Sequence, residues 1–146
     1  MTATSLTQQA KEALAKYFGY SEFRPGQQRL IDAILSGKDA LGIMPTGGGK
    51  SLCYQIPALL LPHVTLVVSP LISLMKDQVD SLTEIGIPAT FINSTLDEET
   101  FVQRLIAIRQ GRYQLIYIAP ERLNSQLILS EEPFFRSPLK RWNKKS

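Results

Sequence analysis

The sequence predicts an α/β domain in which a parallel sheet carries helices on both faces, in a doubly wound arrangement. Three observations predict it. Short apolar, β-branched runs alternate with segments of helical periodicity along most of the chain. Each strand-to-strand connection contains a helix, which is what parallel neighbours require. A glycine-rich loop joins an apolar run to a helix-compatible run, the arrangement that sets an anion site at the carboxyl ends of such strands.

Taken in order, Leu6, Ala10, Ala13, Leu14 and Tyr17 recur at helical spacing and predict a first helix over about Ser5 to Phe18, stopped by Gly19. Pro25 suits the first position of a second helix whose apolar face is Leu30, Ile31, Ile34 and Leu35. Gly37 ends it. Ala40 to Met44 reads as a strand, and Leu52 to Leu61 as a helix. Val64 to Val68 is apolar throughout, as in a strand buried on both faces. Leu71, Leu74, Met75, Val79 and Leu82 give a further helix, with the first four in the core, ended by Gly86. Ala89 to Ile92 is a short strand. Thr95-x-x-Glu98 reads as a capping box before a helix carrying Phe101, Val102, Leu105 and Ile106. Gln114 to Ala119 is a strand, Arg122 to Leu129 a helix, and Lys140 to Ser146 a polar, basic end.

Between the Ala40 run and the Leu52 run stand Met44, Pro45, Thr46, Gly47, Gly48, Gly49, Lys50 and Ser51. The chemistry of a phosphate-binding loop requires these types. Glycines let backbone N–H groups approach phosphate oxygens with no Cβ in the way, and the next helix aims its positive end at the same anion. Lys50 supplies a full charge for the β and γ phosphates, and Ser51 a hydroxyl for Mg²⁺. Met44 departs from the general spelling, which has glycine at that place.

The chain has 146 residues, enough for one domain with a core, with 44% hydrophobic and 20% charged residues. A net charge of +3 permits nucleic-acid binding without arguing for it. One cysteine, Cys53, excludes an internal disulfide framework and suits packing better than redox chemistry. One cysteine and one histidine, His63, make no zinc site. The polar start excludes a signal peptide, and no apolar run is long enough to span a bilayer, so a cytoplasmic location is expected.

Five separated stretches resemble the RecQ family of ATP-dependent DNA helicases, in that family's order and spacing. They are Phe18-Gly-Tyr20, Phe23-Arg-Pro-Gly-Gln27, Met44 to Gln55, Ser69 to Val79, and Tyr117-Ile-Ala-Pro-Glu-Arg-Leu123. The resemblance covers about Tyr17 to Trp142 and accounts for Met44, because this helicase superfamily does not require the first glycine. It implies a P-loop NTPase (RecA-like) fold, ATP and Mg²⁺ as cofactors, and single-stranded or partly duplex DNA as partner, unwound 3′ to 5′. By resemblance, Tyr20 stacks on adenine, and Arg24 and Gln27 read the base edge. Ser69, Pro70, Ser73 and Lys76 contact DNA, as do Pro120, Glu121 and Arg122. The helix after Pro70 could hold a DNA phosphate on its first amides. Residues 1–16 are then an N-terminal helix, and 17–146 part of the helicase ATP-binding domain.

The family pattern continues with a strand ending in Asp-Glu-Ala-His, and the chain ends before it. Asp97-Glu98, the only Asp-Glu pair, reads as helix-start chemistry. The sequence is therefore expected to be the first part of a motor lobe that binds ATP and DNA at most, without efficient catalysis. The other reading is a non-catalytic nucleotide-binding or nucleic-acid-binding piece or truncated product. A small P-loop kinase leaves Ser69 to Val79 unexplained.

Overall fold

The computed structural model describes residues 3–43 and 49–123. The chain divides into two compact units, Met1–Pro62 and His63–Ser146.

The first unit is helical. Helix α1 (Ala3–Ala13) runs into a π-helical turn, Leu14–Phe18, which Gly19 closes at φ +75°. A left-handed residue at this place satisfies end carbonyls, and the Gly19 N–H bonds the Ala15 carbonyl. Helix α2 (Gln27–Leu35) follows, then α3 (Leu52–Leu60). Ala10, Ala13, Leu14, Ile31 and Ile56 form the core of this unit, with Tyr17, Phe23, Leu35 and Leu52 packed around it. Pro25 stands two residues before α2. It forms the turn with Gly26, whose left-handed φ of +89° no proline or branched residue could supply at the helix entry.

The strand expected at Ala40 to Met44 does not form in its described part. Residues 40–43 have no regular structure, and Leu41 and Ile43 are 87% and 91% exposed. A strand exists only with a hydrogen-bonding neighbour, and a β-type sequence cannot provide one for itself. Met44 lies outside the described residues.

The second unit contains the parallel sheet, with β1 (Thr65–Val68), β2 (Ala89–Ile92) and β3 (Leu115–Ile118) in the order β1-β3-β2. Leu66, Ile116 and Thr90 stand in register, as do Val68, Ile118 and Ile92. Helix α4 (Ile72–Glu84) joins β1 to β2 across β3, and α5 (Glu98–Arg109) returns the chain from β2 to β3. The two crossings run in opposite directions over the sheet. With both right-handed, as parallel crossovers are, the helices fall on opposite faces. Phe101, Leu105 and Ile108 of α5 cover the face formed by Ile92, Ile116 and Ile118. On the other face Leu115 and Tyr117 are buried, as are Met75, Val79 and Leu82 of α4.

Four expectations need correction here. β3 is the strand buried along its whole length, whereas β1 is half-buried and its Val68 is exposed, because β1 lies at one side of the described sheet. Leu71 and Leu74 are not core: they are 58% and 47% exposed, whereas Met75, Val79 and Leu82 are buried. Helix α5 starts at Glu98 with Asp97 as its cap, the carboxylate accepting the Thr100 N–H at 2.7 Å. Thr95 instead bonds Asn93, whose side-chain oxygen accepts the Thr95 N–H and hydroxyl, so the Thr95-Glu98 box is not the one used. A 3₁₀ turn, Pro120–Arg122, takes the place of a helix beginning at Arg122. The remainder of that expected helix, to Leu129, and the basic end lie outside the described residues.

Candidate nucleotide site and nucleic-acid rim

Within the first unit, Gly49, Lys50 and Ser51 lead directly into α3. Leu52 N–H bonds the Gly49 carbonyl, Cys53 N–H the Lys50 carbonyl and Gln55 N–H the Ser51 carbonyl. Gly49 is left-handed at φ +76°, and a Cβ there would overlap Nε2 of Gln27. The position therefore demands glycine twice over, by conformation and by space. Lys50 is exposed and Ser51 half-buried. Ser51 makes no side-chain cap bond although it holds the cap position, so its hydroxyl is not committed to the helix start. Met44, Pro45, Thr46, Gly47 and Gly48 lie outside the described residues.

The residues expected to meet the base are brought to the same place. Tyr20, Glu22, Arg24, Gln27, Gly49 and Leu52 surround a cavity of about 60 Å³. That is far below the roughly 300–1,000 Å³ of sites that enclose a ligand. Tyr20 is 54% exposed, with its ring open to solvent. Gln27 is 1% exposed. Its carboxamide oxygen accepts the Arg24 N–H at 2.7 Å, and its Nε2 donates to the Gly49 carbonyl at 2.9 Å. The sequence pointed to Gln27 through a motif but carried no sign of this bond across 22 positions. A larger hollow, about 460 Å³, lies between the start of α2 and residues 40–43 and includes none of the expected site residues.

Cys53 is buried, and burial pushes its thiol above the ordinary range, as packing rather than reactivity requires. Among the described residues no group of three His, Cys, Asp or Glu side chains could hold a metal ion. Among the described residues, Ser51 would offer a hydroxyl oxygen beside the loop.

The second unit brings its expected DNA contacts to one rim. Ser69 and Pro70 follow β1, and Ala119 and Pro120 follow β3, the adjacent parallel strand. Ser69 N–H bonds the Ile118 carbonyl at 3.0 Å, tying the two strand ends together. The Ser69 hydroxyl accepts the Leu71 N–H at 3.1 Å. Two amides at the start of α4 are also used locally, Ile72 to the Pro70 carbonyl and Leu74 to the Leu71 carbonyl. Fewer donors remain for a phosphate than a bare helix start offers. Lys76 pairs with Asp80 at 2.7 Å, and that hydrogen bond, then the Asp80 charge, raises its pKa. Both partners are exposed, so a competing phosphate displaces Asp80 at little cost. The Arg122 guanidinium lies 4.5 Å from the centre of the Phe101 ring, which holds its charge at the rim. Glu121 is exposed beside it.

Residues 24–141 match the model of the DEAD/DEAH box helicase family. The chain belongs to that family. Relatives in sequence include proteins named ATP-dependent DNA helicase RecQ. The chain is 54% identical over 117 residues to the ATP-dependent DNA helicase RecQ of Bacillus subtilis (strain 168), covering 80% of this chain and 20% of that protein. It is 53% identical over 120 residues to the RecQ of Pasteurella multocida (strain Pm70), with 81% and 19% covered. The chain thus spans about a fifth of the length of these relatives. A crystal structure of a hypothetical ATP-dependent RNA helicase from Sulfolobus tokodaii superposes with a TM-score of 0.60 at 22% identity, covering 80% of this chain and 34% of that one. That likeness supports the α/β, P-loop NTPase-like fold. No helix among the described residues is long and apolar enough to cross a membrane.

Proposed function

We propose that this helicase chain is the nucleotide-binding part of the first motor lobe of a RecQ-type, ATP-dependent DNA helicase. The observation that carries the reading is the meeting of Tyr20, Arg24 and Gln27 with Gly49 at the entry to α3. A base recogniser and a phosphate loop have to be neighbours if one nucleotide is to span both. Lys50 and the loop amides meet the triphosphate, the most highly charged part of the ligand. Tyr20 presents its exposed ring to adenine, and Gln27 and Arg24 read its edge. Mg²⁺, when bound, neutralises phosphate charge. Ser51 would offer it a hydroxyl oxygen.

On this reading the rim of Ser69, Pro70, Ser73, Lys76, Pro120 and Arg122 tracks the phosphates of single-stranded DNA, with the exposed Leu71 and Leu74 beside it. Unwinding, 3′ to 5′, and a cytoplasmic location belong to the whole helicase. Residues 17–146 correspond to part of its ATP-binding domain.

A second reading, a piece that binds without turnover, is favoured by one observation. The only Asp-Glu pair of the chain caps α5, and the Asp97 carboxylate is spent on Thr100. Its place at a helix start is cap chemistry and not a metal motif.

Equilibrium binding of labelled ATP to the chain and to Lys50→Ala tests the nucleotide assignment. The parent binds and Lys50→Ala loses most of the affinity. Equal affinity of the two refutes the loop as the site.

A further inference from the structure

We infer that the outward side of α5 is a contact surface for a second copy of this chain, paired antiparallel across a two-fold axis.

Three observations carry it. The first is an apolar patch. Helix α5 buries Phe101, Leu105 and Ile108 against the sheet, yet leaves Val102 and Ile106 in solvent, at 38% and 50% exposure. Standing four apart on a helix, they form one patch and not two scattered residues. Helix α4 of the same unit behaves differently. From Lys76 to its end at Glu84 its exposed side chains are all polar: Lys76, Asp77, Asp80, Ser81, Thr83 and Glu84.

The second is spacing. Exposed Glu99 and Arg109 bracket the patch. Glu99, Val102, Ile106 and Arg109 stand at i, i+3, i+7 and i+10, the spacing of a seam between two helices. With 3.6 residues per turn they fall within about 80° of one another around the helix.

The third is that the stripe complements itself. Position 104 is its midpoint, with Val102 and Ile106 equally far on either side, and Glu99 and Arg109 likewise. A two-fold axis through that midpoint sets Val102 against Ile106 of the second copy, and Glu99 against Arg109 of the second copy. Each contact then occurs twice. A parallel pairing would set Glu99 against Glu99 and Arg109 against Arg109, so charge selects the antiparallel one. The seam is about 15 Å long, which is short of the roughly 800 Å² per partner of a standard interface. The pair is therefore a weak one that forms at high concentration.

Sedimentation equilibrium of the full 146-residue chain, from low micromolar to about 1 mM, tests this, with thermal melting of each variant. The parent is expected to show a monomer–dimer equilibrium. Ile106→Lys weakens it at least about tenfold, because it places a charge in the apolar centre twice. Glu99→Arg and Arg109→Glu each weaken it by setting like charges against each other, and the double exchange of both restores the parent's value. The double exchange also sets both charges against the helix dipole. A mere loss of helix stability would therefore make it the weakest of the three, not the tightest. A parent that stays monomeric over the whole range overturns the inference and leaves the stripe to another occupant. A dimer that Ile106→Lys leaves intact overturns it too, by placing the contact on another surface. A double exchange no tighter than the single ones overturns the antiparallel pairing.

Discussion

Gly49→Ala tests the packing of the site independently of any ligand. Two costs add. An L-residue with a Cβ at φ +76° pays about 1–2 kcal/mol for the left-handed conformation. The new Cβ also overlaps Nε2 of Gln27, so the buried carboxamide must move away from Gly49 and Arg24. Leaving such groups without partners costs about 1–3 kcal/mol. The sum is about 2–5 kcal/mol, a large share of the roughly 5–15 kcal/mol that holds a domain together. Gly19 provides the control, because its φ is +75° and a Cβ there meets nothing within 4 Å. Gly19→Ala carries only the conformational cost. Both glycines belong to the helical first unit, so urea unfolding followed by the far-ultraviolet helical signal reads both. The expected result is a loss for Gly49→Ala larger than for Gly19→Ala by about 1–3 kcal/mol. Losses equal within about 0.5 kcal/mol, the ordinary scatter of unrelated substitutions, refute the Gln27–Gly49 packing.

Other outcomes follow from the second unit and from the chemistry. The bond from Thr100 holds the Asp97 carboxyl below the ordinary carboxylate range, so its cap stabilises above the unfolded pKa of about 3.9 and fades as pH falls through the lower, folded value. Asp97→Asn, which still caps, is expected to remove that acid-range dependence from the melting curve, and an unchanged dependence contradicts it. Arg104 donates to the outward Phe91 carbonyl at 2.6 Å and lies 4.5 Å from its ring, closing the outer edge of β2. Arg104→Ala opens that edge, and light scattering of concentrated protein should rise; unchanged scattering argues against edge protection. Phosphate release by the chain with single-stranded DNA is expected to stay at background, since its one Asp-Glu pair is a helix cap. DNA-stimulated release that disappears in Lys50→Ala would show that another group does the work of the acidic pair.

Much of the fold was legible because periodicity reports burial. Ala89–Ile92 was read to the residue, and β1, α3 and β3 to within one residue at either end. Misreadings fell where partners decide. Ala40 to Met44 has the composition of a strand, but composition cannot supply a neighbour to pair with. Leu71 and Leu74 keep helical spacing with Met75, yet they stand at the cap and in the first turn of α4 and are exposed, while Met75 is buried. Thr95 and Asp97 are equally good caps by type, and only the Asn93 turn decides between them. The site was legible as chemistry: glycines, Lys50 and Ser51 are what a phosphate needs. The grip of Gln27 on Gly49 was not, because a bond across 22 positions has no local sequence sign.

The central claim is one nucleotide site in which the base meets Tyr20, Arg24 and Gln27 while the phosphates meet Lys50. Competition of labelled ATP by unlabelled ATP and by GTP, on the parent and on Lys50→Ala, tests it most directly. GTP reverses the donor and acceptor edge that an amide reads, leaving polar groups unpaired at about 1–3 kcal/mol each. The account predicts that ATP displaces the label at least about tenfold better than GTP on the parent, and that Lys50→Ala retains almost no label. Equal displacement by the two nucleotides, or full retention of label by Lys50→Ala, contradicts it.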